Sequence, residues 1–242
     1  MAGPNGENIL ECELKLMLDK AEYFRIDSFR KNNEVSQAVQ INYYFDTADF
    51  WFDRNDLSIR IREKGSTYLL TFKVTDLQRS SAKIRVAQEY NYSLDYPAFC
   101  QLLQSVWPGM KMQSLGLHPA LDAYKEQLAK VEYLGKLVTK RAKFKPSKEL
   151  PRIELDQNLY LDFVDWELEC EVSYSEEADQ LEQWLMDLGI QLVRAKRGKQ
   201  GRFVDRLQEV LRSSFTLCRR YQRRGLFNTR HYRQWCKYRH SR

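Results

Sequence analysis

A chain of 242 residues with 39 Lys and Arg against 33 Asp and Glu can bury one large core, and its formal charge is only +6. No apolar run is long enough for a membrane-spanning helix, and Met1 to Asn8 lacks the basic-then-apolar order of a secretory signal, so neither is expected and a cytoplasmic protein is. Nine of the bases and no acid fall between Arg219 and Arg242, so the rest of the chain carries 30 bases against 33 acids and is mildly acidic.

The first strand signal is Leu10 to Met17, where Glu11, Glu13 and Lys15 alternate with Cys12, Leu14 and Leu16. Alternation puts the three charges on one face of a strand and the apolar residues on the other. Asp19 then caps a short helix containing Ala21 to Phe29. Val39 to Phe45 reads as a strand closed by Asp46-Thr47-Ala48-Asp49. Leu57 to Glu63 follows, with Arg60 and Arg62 opposite Ile59 and Ile61. A Gly65-Ser66 turn leads into Tyr68 to Val74, which carries Lys73. In Lys83 to Tyr92, Arg85, Ala87, Glu89 and Asn91 share a face.

Helical spacing appears in Asp95 to Trp107 and stops at Pro108-Gly109. Strand signals return in Leu134 to Phe144, with Thr139, Arg141 and Lys143 on one side. Arg152 to Asp156 and Leu159 to Phe163 read as a hairpin about a tight Gln157-Asn158 turn. Asp165 to Val172 alternates Glu167, Glu169 and Glu171 with Trp166, Leu168, Cys170 and Val172. Glu176 to Leu188 is an amphipathic helix ended by Gly189, and Val204 to Leu211 reads as helical.

The count is about eight strands, most of them charged on one face and aliphatic on the other. The apolar sides of the three longer helices need partners, and the aliphatic strand faces supply them. The charged faces then turn inward. The fold expected is α+β: a closed eight-stranded antiparallel β-barrel with helices packed outside. Residues 1–211 form this domain, and 212–242 form a basic, aromatic-containing extension read as solvated. Its Tyr221, Phe227, Tyr232, Trp235 and Tyr238 leave open a contact with nucleic acid or an acidic partner.

A lumen holding both signs of charge is costly unless water and ligands fill it. Glu11, Glu13, Glu89, Asp156, Glu169 and Glu171 are hard oxygen donors of the kind that hold Mg2+ or Mn2+. Lys15, Arg60, Arg62, Lys73 and Arg141 match phosphate oxygens. Together they point to a metal-bound polyphosphate, held without a P-loop, since GxxxxGK[ST] is absent. The five cysteines form no CxxC pair and the three histidines no cluster, so neither disulfides nor zinc is expected.

The ordered set Glu11-Cys12-Glu13-Leu14-Lys15, Asn42-Tyr43-Tyr44-Phe45-Asp46-Thr47, Ser58-Ile59-Arg60-Ile61-Arg62, Leu70-Thr71-Phe72-Lys73, Glu89, Thr139-Lys140-Arg141, Ile153-Glu154-Leu155-Asp156 and Glu167-Leu168-Glu169-Cys170-Glu171 resembles the CYTH superfamily, the triphosphate tunnel metalloenzymes. Lys199-Gln200-Gly201-Arg202-Phe203 is similar to its closing K-x-x-R, although Lys196 competes for the first position. The resemblance covers roughly Leu10 to Arg206 and is greatest to small stand-alone bacterial members. It implies divalent-metal-dependent hydrolysis of a small triphosphate, inorganic tripolyphosphate foremost.

By position, Glu13 and Glu171 would hold one metal, with Glu11 and Glu169 nearer a second metal and its water. Lys15, Arg60, Arg62, Lys73, Arg141, Lys199 and Arg202 would bind phosphate. Glu89 and Asp156 would ligate metal through water or orient the bases. Arg85, Lys143, Glu154 and Glu167 share the inward parity and set the lumen's electrostatics. Thiamine triphosphatase, class IV adenylate cyclase, RNA 5′-triphosphatase using the basic tail, and a noncatalytic polyphosphate or nucleotide binder are the alternatives. Oligomeric state is not legible.

Overall fold

The computed structural model describes residues 7–32, 36–173 and 175–223. Eight long strands run in chain order: β1 (Glu7–Leu18), β2 (Ser36–Thr47), β3 (Leu57–Lys64), β4 (Thr67–Thr75), β5 (Ile84–Leu94), β6 (Val131–Phe144), β7 (Ile153–Tyr160) and β8 (Phe163–Glu171). They are antiparallel in the spatial order β5-β4-β3-β2-β6-β7-β8-β1, and pairing of β1 with β5 closes the ring, as the alternation requires. A two-residue strand, β9 (Val193–Arg194), adds to β1 at Leu16 and Met17, beyond the reach of β5.

The outer faces are dry. Leu14, Leu16, Phe144, Ile153, Leu155 and Leu168 pack under α1 (Lys20–Asp27) and α6 (Ser175–Asp187). Ile59, Ile61, Leu70 and Phe72 pack under α3 (Tyr96–Gln104), α4 (Pro108–Gln113) and α5 (Lys125–Leu128). Asp19 caps α1 through a full capping box with Glu22, and Asp95 caps α3. A one-turn helix, α2 (Trp51–Arg54), follows β2. The Asp46 carboxylate accepts from the amides of Thr47, Phe52 and Asp53, fixing that turn at the barrel rim.

Two expectations are corrected. Pro108-Gly109 does not merely end a helix: α3 stops at Gln104 and Pro108 opens α4, because proline's missing amide costs nothing in a first turn. Gln157-Asn158 is not a turn. Both lie inside β7, and the two-residue turn falls at Leu161-Asp162, where both residues have positive φ (47° and 59°).

The long helix α7 (Lys199–Arg223) starts inside one end of the barrel. The Phe203 ring lies 5.3 Å from Tyr44 and 6.1 Å from Tyr160, in a buried cluster with Leu137 and Val204. Gly135 makes this possible. Its φ is +148°, and a Cβ there would stand 2.8 Å from Phe203 Cζ. The Gln200 amide bridges two strands, accepting from Ile59 N (3.1 Å) and donating to Phe45 O (3.3 Å). The start of α7 is thus a polar-stitched apolar plug. The helix runs unbroken past residue 211, the expected domain edge, while residues 224–242, with most of the basic aromatic tail, lie outside the described residues. Among the described residues no helix is long and apolar enough to cross a membrane.

Candidate active site

Above the plug the barrel encloses a cavity of about 1150 Å3. Its walls carry Glu11, Glu13 and Lys15 from β1, Arg60 and Arg62 from β3, Lys73 from β4, Glu89 from β5, Arg141 from β6, Glu169 and Glu171 from β8, and Lys199 from α7. Of the residues expected at the site, eleven therefore meet in one lumen. Asp156 and Arg202 stand behind its wall.

Register explains the grouping. Glu13 pairs with Glu171, and Lys15 with Glu169, across β1 and β8, while Lys73 faces Glu89 across β4 and β5. The Lys15 ammonium contacts Glu13 (3.0 Å) and Glu169 (2.6 Å). Burial opposes its charge, but those two carboxylates outweigh burial and hold its pKa above the ordinary lysine value. Lys73 sits among Glu11, Glu13 (3.4 Å) and Glu89 (3.5 Å).

Arg141 is saturated. It grips Asp156 in bidentate fashion (2.8 and 2.6 Å), reaches Glu169 at 2.6 Å and also contacts Glu154. Asp156, Glu167 and Glu169 bring their oxygens within 4.8 Å of one another, the kind of grouping that can hold a cation. The cation there is Lys199, whose ammonium lies 2.9 Å from Asp156, 2.9 Å from Glu169 and against Glu167. Glu167 is fully buried, yet Lys199 and Arg202 overcome the cost of burial and hold its carboxyl at about 2.

Beneath this layer Arg202 binds Asp165 (2.8 Å) and Glu167 (2.8 Å), and Asn158 donates to the same two carboxylates (2.9 and 3.0 Å). Tyr160 adds a hydrogen bond to Asp165 (2.7 Å), and Thr139 donates to Asn158 (2.7 Å). Arg202 therefore ties α7 to the barrel floor instead of facing the cavity. Asn158 escaped the sequence reading because it was placed in a turn, and Asp165 because it was read only as the first residue of its strand. The inward parity they share with Glu167 and Asp156 was the available signal.

Two imbalances remain in this matched interior. Glu11 is pushed above the ordinary carboxylate range by burial and then by Glu13 and Glu89, in spite of Lys73. Glu171, across from Glu13 at the exposed end of β8 and the cavity's mouth, makes no ion pair among the described residues. Arg62 is the opposite case. Its guanidinium makes no ion pair among the described residues; Asn42 Oδ1 at 3.1 Å is its contact. Burial, together with Arg60 and Arg141, draws its pKa down to about 9. One wall has surplus negative charge, and another a cation lacking an anion.

A family model, the CYTH domain, matches residues 10–198. The chain belongs to the CYTH family. YjbK of Bacillus subtilis (strain 168), described as a candidate triphosphatase, is 32% identical over 165 residues, 68% of this chain and 78% of that one. A CYTH-type structure from Bacillus halodurans, described as a candidate adenylate cyclase, is 25% identical with a TM-score of 0.63, covering 81% of this chain and 98% of the other. A second, HpAC1 from Hippeastrum, a candidate adenylyl cyclase described as having a dominant triphosphatase activity, is 20% identical with a TM-score of 0.68, covering 81% and 95%. That likeness concerns the fold. The CYTH membership agrees with the resemblance read from the ordered motifs, and the closed barrel is the architecture those motifs imply.

Proposed function

We propose that this CYTH protein hydrolyses a small triphosphate with a divalent cation, and that inorganic tripolyphosphate is its substrate. The observation that carries the reading is the division of the lumen: on β1 and β8 the carboxylates Glu11, Glu13, Glu169 and Glu171 outnumber the ammonium groups of Lys15 and Lys73 beside them, while Arg62 on β3 is a guanidinium without an ion pair among the described residues. A cation bound to phosphate satisfies both walls together, whereas a free anion or a free metal satisfies one. The relative YjbK, described as a candidate triphosphatase, supports the same class of reaction.

Glu11, Glu13 and Glu171 fit a divalent ion, since all are hard oxygen donors lining the cavity and burial leaves Glu11 short of positive charge. Mg2+ or Mn2+ held there, with Glu169 at the edge, would neutralise phosphate charge and acidify a bound water. Lys15, Arg60 and Lys73 would take the phosphate oxygens, exchanging their carboxylate partners for the substrate, and Arg62, which has no such partner to give up, would join them. Arg141 and Lys199, held by Asp156, Glu167 and Glu169, keep their charge and present it to the chain. Glu89 and Asp156 orient bases: Glu89 steadies Arg60 (3.3 Å) and Lys73, and Asp156 steadies Arg141 and Lys199. Glu13 and Glu169 are held low despite burial, Glu13 by Lys15 and Lys73 and Glu169 by Lys15 and Lys199, so both stay anionic.

Inorganic substrate is favoured over nucleotides and thiamine esters because Tyr44 is the one aromatic side chain among the described residues that line the cavity. Its ring is packed against Phe203 in the plug, so a base or thiazolium ring would find no second aromatic face in the lining to stack on. The test is phosphate release with Mg2+ and then Mn2+ from tripolyphosphate, thiamine triphosphate, ATP and 5′-triphosphorylated RNA, with cyclic AMP measured alongside. Tripolyphosphate should turn over fastest. Cyclic AMP as the main product would replace hydrolysis by cyclisation, and no turnover of any substrate would overturn the enzyme reading.

A further inference from the structure

A second cavity of about 300 Å3 adjoins the first at the end of the barrel where β2 and β4 begin and β3 ends. The two share Arg62, Arg141, Lys143 and Glu154, so side chains common to both are what separates them. To these the smaller cavity adds Lys64 and Thr67. Four cations thus surround a single carboxylate, and Glu154 is already engaged by Arg141 and by Lys143 (2.9 Å). Arg62 stands at the partition without an acid, and beside it Asn42 Nδ2 is a buried donor with no acceptor. Lys64 is exposed at the lip. A water occupies roughly 30 Å3, so the space holds an orthophosphate with part of its hydration shell.

We propose that this second cavity is an orthophosphate site, through which the phosphate produced in the main cavity leaves. The proposal rests on the hydrolytic reading above. There, a water oxygen bonds to the terminal phosphorus as the anhydride P–O bond breaks, giving orthophosphate and pyrophosphate, with the proton passing to a wall carboxylate. Arg62, which faces both chambers and has no carboxylate of its own, passes the smaller anion toward Lys143 and Lys64. No carboxylate is free to repel it.

The experiment titrates the full chain with inorganic phosphate by calorimetry and 31P line broadening while the main cavity is saturated with a bis-methylene analogue of tripolyphosphate and Mg2+. Wild-type protein should still bind one phosphate. Lys64→Gln with Thr67→Val, both outside the main cavity, should weaken that binding on the order of ten-fold or more, the loss expected for charge-assisted contacts, and leave the analogue's affinity within about two-fold. Phosphate fully displaced by the analogue, or bound equally by the double variant, would overturn the proposal. Lys64→Gln alone, at an exposed lip, tests it without disturbing the lumen and should weaken phosphate several-fold; an unchanged affinity counts against the site. Phosphate binding in a protein that turns over no triphosphate would sink the hydrolytic reading and leave the anion site standing.

Discussion

Glu167→Gln removes a charge from the most buried layer of the barrel, where Lys199, Arg202 and Asn158 converge. Glu167 ionises at about 2 in the folded protein against an ordinary 4.5, a gap that corresponds to roughly 3 kcal/mol of folding stability at neutral pH. For a domain of this size that is a fall in melting temperature of roughly 6 to 12 °C. Because the folded-state pKa is depressed, the contribution is complete above the unfolded value and disappears as pH falls from 4.5 toward 2. Calorimetric melts of wild type and variant at pH 7 and pH 3 measure it. The difference should shrink by more than half at the lower pH. A difference below about 1 kcal/mol at pH 7, or one independent of pH, would refute the view that this buried carboxylate holds the α7 cations in place.

Gly135→Ala forces a Cβ to within 2.8 Å of Phe203 at a φ of +148°, so it should destabilise the plug by roughly 1–3 kcal/mol, read by denaturant unfolding. Asp46→Ala strips an acceptor from three amides at the start of α2 and should cost about 2 kcal/mol or more by the same measurement, with Asp46→Asn recovering part of it. Cys170, buried and with its thiol pushed up to about 12, should resist iodoacetamide in the native protein at pH 8 and react only on unfolding, as followed by mass spectrometry.

The barrel was legible because one-sided charge on a strand has period 2, and Glu11, Arg60, Lys73, Arg141 and Glu169 all keep that period through their strands. It was the sum of such faces, against aliphatic faces that helices had to cover, that turned them inward. Asn158 misled for a physical reason. Its turn propensity is local, whereas in β7 its side chain is held by Thr139, Asp165 and Glu167, which come from β6 and β8. The true turn needs positive φ at Leu161, a residue that gives no sign of it. Arg202 shows the limit of motif position. Being three residues from Lys199 puts it on the next turn of α7, one layer below the cavity, against Asp165 and Glu167. The role of Gln200 could not be read at all, since its partners on β2 and β3 lie more than a hundred residues away.

The central claim is that the surplus carboxylates of β1 and β8 hold the metal on which triphosphate hydrolysis depends. Steady-state phosphate release from tripolyphosphate, with and without Mg2+ or Mn2+, by wild type, Glu13→Gln and Glu171→Gln tests it most directly. Activity should require the metal, and each variant should lose on the order of 100-fold or more in kcat/KM, about 3 kcal/mol of transition-state stabilisation, while keeping its fold by circular dichroism. Metal-independent turnover, or near-native turnover in either variant, would contradict it.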